Sequence, residues 1–127
     1  EYCGGAHALM AFRVVAMEPD QFDAWVEAES APAVITSTQG ERTFLSAGCG
    51  ACHTVRGTSA TGSAGPDLTH VAGRRSIGAA LLPATRSGFV TWLENHKQIK
   101  PGNLMPEYDL LSDDERSGIA DYLESLE

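Results

Sequence analysis

Residues 49–53 read Cys49-Gly50-Ala51-Cys52-His53, and the fold follows from what that string must carry. Two thiols three positions apart on one turn of chain can add across the two vinyl groups of a haem. The histidine beside the second thiol then lies under the iron and can bind it axially. Two other uses of the string fit less well. A structural zinc site needs four nitrogen or sulfur ligands, usually with a second CxxC or a closely spaced histidine pair, and the later histidines, His70 and His96, are too far apart for that. A thioredoxin-like redox pair would follow a buried strand, whereas Thr43-Phe44-Leu45-Ser46-Ala47-Gly48 reads as helical.

Outward from the string, Thr38-Gln39-Gly40-Glu41 has the pattern of a capping box and predicts the start of a helix leading into Cys49. Residues 57–73 are rich in Gly, Ser and Thr and predict loop. Phe89, Trp92 and Leu93 share a helical face, so a helix is expected over about 87–97, ended by Lys100-Pro101-Gly102-Asn103. Ser112-Asp113-Asp114-Glu115 is a second capping box, and Ile119, Tyr122, Leu123 and Leu126 behind it fall at i, i+3, i+4 and i+7. Upstream, the apolar and β-branched run 9–17 predicts a strand. Pro19 then suits the first residue of a helix over 19–29 carrying Phe22, Trp25 and Val26. Residues 30–37 read as a linker, and no internal repeat is present.

The 127 residues have room for one domain, or one small domain and an appendage. Only 7% of them are aromatic, so the core is thin and a buried porphyrin would supply much of its apolar volume. The longest apolar run, 8–17, is interrupted by Arg13 and falls short of the roughly 18 residues of a membrane span, so the chain itself is expected to be soluble. The net charge of −8 divides into −5 over 1–37, +3 over 38–108 and −6 over 109–127. No basic stripe with interleaved aromatics suggests a nucleic-acid partner. The basic middle is the part expected to surround an anionic haem, although an ordinary solvated surface explains the same charges. Cys3 is left over once Cys49 and Cys52 are used, and with no signal peptide visible the chain reads as a fragment of something larger.

If His53 supplies one axial bond to iron, Met105 is the leading candidate for the other. It stands in an irregular loop, Pro101-Gly102-Asn103-Leu104-Met105-Pro106, free of helical constraint, and His/Met is a recognised axial pair. A gap-filling core methionine is the alternative for Met105, and His70 is the competing second ligand. His/Met ligation closes both axial positions and suits electron transfer over oxygen binding.

Cys49-Gly50-Ala51-Cys52-His53, Gly65-Pro66-Asp67-Leu68 and Asn103-Leu104-Met105-Pro106 together resemble a class I cytochrome c domain over about 38–127. The resemblance implies a mainly α fold of three to five helices around a haem. It implies that the Pro66 carbonyl accepts a hydrogen bond from the axial imidazole, a contact that fixes the ring and raises its basicity. It also makes Trp92, Arg74 and Arg75 candidates to hold the haem propionates, with plain core packing the alternative for Trp92.

The first ten residues carry a second pattern. Cys3, His7 and Met10 form a soft thiolate, imidazole and thioether set suited to copper. With Glu1 they resemble the second half of the binuclear CuA loop of cytochrome c oxidase subunit II. The first bridging cysteine and the upstream histidine of that loop have no counterpart here, so no CuA centre is expected in this chain alone. Residues 1–29 would then be the end of a CuA cupredoxin domain. Its orphan strand would be an edge liability unless docked on the haem domain or on a neighbouring molecule, and it is expected to be docked.

The order of CuA loop, strand, helix, linker and cytochrome domain resembles the oxidases of the caa type, whose subunit II carries a fused haem c domain. The resemblance implies an electron-entry role. A donor (a small cytochrome, an iron–sulfur protein or a respiratory complex) would reduce haem c, which would pass the electron to CuA and the other oxidase subunits. The expected setting is the outer, periplasmic face of a bacterial cytoplasmic membrane, within an anchored subunit. The fragment by itself is expected to catalyse nothing. A free electron shuttle, a haem-based ligand sensor and the electron-entry domain of a diheme dehydrogenase are the rival readings.

Overall fold

The computed structural model describes residues 7–127. Glu1 and Cys3, half of the predicted copper set, lie outside them. Four helices order the chain: α1, Pro19–Ser30; α2, Thr38–Ser46; α3, Arg86–Ile99; and α4, Asp113–Glu124. Short 3-10 turns occupy His7–Leu9 and Cys49–Ala51. No strand occurs among the described residues, and the fold is mainly helical, as expected from the sequence.

The last helix organises the rest, because α4 packs against both α2 and α3. Its entry is fixed by the expected capping box: Ser112 Oγ accepts from the Glu115 N–H, and the Glu115 carboxylate accepts from the Ser112 N–H at 2.8 Å. Ile119, Tyr122, Leu123 and Leu126 are all buried, as their spacing predicts. The α2–α4 crossing is close. A Cβ at Gly40 would sit 2.3 Å from the Gly118 carbonyl oxygen, so only glycine lets the helices approach this way. The Phe44 and Tyr122 rings meet there at 5.4 Å between centroids. At the far end of α4, Glu124 accepts the Arg86 N–H at 2.7 Å and Asp121 pairs with the Arg86 side chain, joining the start of α3 to the end of α4.

Three details differ from the sequence reading. The first turn of α2 is not capped by Thr38. Ser37 is the N-cap residue and Thr38 the first helical one, and no side-chain capping bond forms there. The helix expected over 87–97 is longer at both ends, because Thr85 Oγ1 accepts the Gly88 N–H and starts it earlier.

The third difference is larger. The strand predicted over 9–17 does not form. Residues 10–18 are irregular, and every one of them is exposed. Its β-branched residues favour extended chain, but a strand is stable only when a neighbour pairs its amides and packs one of its faces. Nor does this part dock broadly on the rest. Among the described residues α1 packs against no other helix, and its side chains are almost entirely exposed. The predicted linker is the anchored stretch. The Arg56 guanidinium donates to the carbonyls of Glu29 and Ala31, His70 Nε2 lies 2.9 Å from the Ala31 carbonyl, and the Ala33 N–H donates to Arg56 O at 2.9 Å.

Candidate haem site

The chain leaves α2 through Ala47 and Gly48, whose φ of +81° turns it into the Cys49–Ala51 turn. The N–H groups of Cys52 and His53 both donate to the Cys49 carbonyl, at 3.1 and 2.9 Å. Positions 49, 52 and 53 are thereby gathered on a single turn, the geometry that the CxxCH string requires. Cys49 is buried, Cys52 and His53 are half-buried, and the two thiols are not joined to each other. Burial pushes the Cys49 thiol above its ordinary value, with the hydroxyl of Tyr108 working the other way through a hydrogen bond. Burial and the neighbouring Cys49 push Tyr108 itself up to about 12.

His53 is held by the segment that follows. Its Nδ1 lies 2.8 Å from the Pro66 carbonyl. That oxygen can only accept, so Nδ1 carries the proton and Nε2 keeps its lone pair for a ligand. Gly65 makes the approach feasible: a Cβ there would stand 2.5 Å from Cε1 of the imidazole. The segment is fixed by Gly65 N–H to Cys52 O at 2.7 Å and Leu68 N–H to Thr54 O at 2.8 Å. Asp67 extends the support. Its carboxylate pairs with Arg56 at 2.9 Å and accepts the Thr69 N–H at 2.8 Å. Partial burial works to raise the Asp67 pKa, but the Thr69 hydrogen bonds and the Arg56 and Arg74 charges outweigh it and lower the value.

Cys49, Cys52, His53 and Met105 all line one cavity of about 640 Å³. Its other walls are mostly apolar: Phe44, Leu68, Val71, Ile77, Phe89, Trp92 and Leu93, with Ile119 and Leu123 from α4 and Ala11 from the N-terminal segment. Of the proposed propionate holders, Trp92 and Arg74 reach the cavity, and Arg75 is exposed and not among its lining residues. His70 is turned elsewhere, with its ring nitrogens against the Glu127 and Ala31 carbonyls at 2.7 and 2.9 Å. His7 opens the first 3-10 turn and Met10 is half exposed.

The residues present fit a haem. An apolar cleft carries two unbridged thiols, an imidazole oriented by Pro66 and a thioether, the kinds of donor such a group takes. Several supporting residues were not singled out in the sequence. Tyr108 lies beside Cys49, and Lys100 and Asn103 line the cavity with Met105. His96 is 1% exposed, and its Nε2 lies 3.2 Å from the Met105 carbonyl. His96 did leave a signal, since it continues the apolar face of Phe89, Trp92 and Leu93 by one turn.

A helical fold closed around one cleft, with a CxxCH turn on its wall, defines a haem-carrying protein. A family model described as cytochrome c matches residues 37–127, and the chain belongs to the cytochrome c family. Over 99% of its length it is similar to proteins described as cytochrome c oxidase subunit 2. It is 37% identical to that of Alkalihalophilus pseudofirmus, 32% to that of Bacillus subtilis and 33% to that of Bacillus sp. strain PS3. The chain spans 37% of the length of each of these relatives. No helix among the described residues is long and apolar enough to cross a membrane.

Proposed function

We propose that this chain is the electron-entry domain of a terminal oxidase subunit. Cys49 and Cys52 would attach a haem c covalently, and His53 and Met105 would be its axial ligands. When bound, the haem supplies a one-electron couple at iron. The protein's part would be to hold that group with His53 and Met105 in a mostly apolar cleft. Pro66 fixes the His53 ring through Nδ1, the loop before Pro106 presents the Met105 thioether, and the apolar walls of α3 and α4 exclude water. A closed coordination sphere changes little on reduction, which is what a carrier needs. The observation that carries the reading is the convergence of Cys49, Cys52, His53 and Met105 on one cavity.

Similarity to oxidase subunit 2 over 99% of the chain supports the direction of flow. An external donor would reduce the haem, and the electron would pass to a CuA centre in the same subunit on the outer, periplasmic face of a bacterial membrane. On this reading residues 1–29 end the copper domain, with Glu1, Cys3, His7 and Met10 belonging to its metal site. Residues 30–37 connect, and 38–127 form the cytochrome domain. A family match beginning at residue 37 supports that division. So does the exposure of Phe12, Val14, Phe22 and Trp25, apolar side chains that a neighbouring domain would cover.

The test is spectroscopic and kinetic. Matured with haem, the chain should show thioether-linked haem c and the weak far-red band of methionine–iron ligation. Met105→Ala should abolish that band and open the iron to carbon monoxide. A band that survives in Met105→Ala assigns the ligand elsewhere, and carbon monoxide binding by the unaltered reduced protein would favour a sensor over a carrier.

A further inference from the structure

Met105 lies in a loop with no helix or strand to set its position, so what holds its backbone decides where its sulfur stands. Both polar groups of the Met105 peptide unit are taken by side chains. Asn103 Oδ1 accepts the Met105 N–H at 3.2 Å, and His96 Nε2 lies 3.2 Å from the Met105 carbonyl. Pro106 follows, so the next residue has no N–H with which to tie the loop down.

Both groups are themselves fixed to the end of α3. Asn103 Nδ2 donates to the carbonyls of His96 and Lys100, at 2.9 and 2.7 Å, adding a second hydrogen bond to carbonyls that already accept the Lys100 and Asn103 N–H groups. Lys97 Nζ donates to the Asn103 carbonyl at 2.8 Å, closing the staple from the other side. His96 is buried and its ring lies tilted against Trp92, 5.9 Å between centroids, so it has little freedom to turn away. Its Nδ1 faces the Trp92 carbonyl, also at 3.2 Å. A neutral imidazole has one N–H to give. Carried on Nε2, that proton serves the Met105 carbonyl, and this is the tautomer on which the clamp rests.

We infer that His96, with Asn103, is a positioning residue for the axial methionine: the pair clamps the Met105 peptide to α3 and holds the thioether in place over the iron. This rests on the assignment of Met105 as ligand. His96 is not among the residues lining the cavity, and Asn103 lines it beside Met105; in this role both act through the Met105 peptide. Their effect is on how often the sulfur leaves.

The test uses the haem-loaded chain and the binding of imidazole to its ferric iron, which requires the sulfur to move away. His96→Phe keeps an aromatic ring against Trp92 but leaves the Met105 carbonyl without its donor. Loss of one such hydrogen bond should raise the apparent imidazole affinity about three- to tenfold and weaken the far-red band. His96→Gln, whose amide nitrogen can occupy the place of Nε2, should return the affinity to within about twofold of the unaltered protein. Asn103→Ala should loosen the loop in the same direction, and it keeps the test open if His96→Phe does not fold. Unchanged imidazole affinity in His96→Phe and Asn103→Ala, alongside a Met105→Ala protein that has lost its band, overturns the clamp and leaves the ligand standing. A Met105→Ala protein that keeps its band removes the ligand assignment, and the clamp with it.

Discussion

At the scale of single residues, the site depends on groups whose task is to hold another group still. Asp67 is the clearest. It touches neither thiol nor imidazole, yet it follows Pro66 directly and ties that segment to Arg56 and Thr69. Its pKa is lowered in the folded chain, so between the lowered value and the ordinary one the unfolded chain binds more protons. Stability must therefore rise with pH through that window, and the contribution is complete above the ordinary value of 3.8. It is lost as pH falls through the lowered value. Asp67→Asn should accordingly flatten the acid limb of the stability curve below about pH 4, with little change in its shape near neutrality. Denaturant midpoints recorded every half pH unit would show this. An acid limb as steep in Asp67→Asn as in the parent would mean that other carboxylates carry the effect.

At the scale of elements, α4 does the most with the least sequence. Its box of Ser112 and Glu115 and its four-residue apolar face were legible as they stand, and the helix formed where they place it. Removing the cap by Ser112→Ala should cost about 1 kcal/mol. For a domain of this size that lowers the thermal midpoint by roughly 4–8 °C, measurable by circular dichroism with the haem spectrum unchanged. A drop below a degree would show that the Glu115 carboxylate and the helix dipole suffice alone. The elements that misled do so for physical reasons. Thr38 with Glu41 has the same spacing as Ser112 with Glu115, but Ser37 precedes it and takes the N-cap position, leaving Thr38 inside the helix. The run 9–17 has strand composition without the pairing partner that would make a strand of it. The fastening of 29–33 by Arg56 and His70 was not legible, because it depends on side chains far away in sequence meeting backbone carbonyls. Position 53 and the loop of Met105 were readable from local chemistry. The hold of His96 on that loop needed the fold.

At the scale of the whole molecule, the chain has a closed half and an open half. From residue 38 onward most apolar side chains gather in the cleft and the α2–α4–α3 core, with Leu104 and Leu110 left exposed. Among the described residues before 30, Ala11 lines the cavity, but Phe12 and Val14 are 83% and 84% exposed, and Phe22, Trp25 and Val26 are each close to half exposed along one stretch. Apolar groups concentrated in this way mark a surface that is covered in use. Covered by a neighbouring domain, they would cost nothing; in the separate chain they face water. The chain is therefore expected to self-associate with rising concentration, seen as an upward drift of sedimentation-average mass. A chain shortened to begin at Glu29 keeps both carbonyls that Arg56 takes, Glu29 O and Ala31 O, and discards most of the exposed apolar surface. It should remain monomeric at concentrations where the parent associates. Because α1 packs against no other helix, the stability of the shortened chain should match the parent within about 0.5 kcal/mol, as for changes remote from a core. Its haem spectrum should be unaltered. A loss of several kcal/mol, or of haem binding, would show that the first 28 residues belong to the cytochrome domain after all and are not the edge of its neighbour.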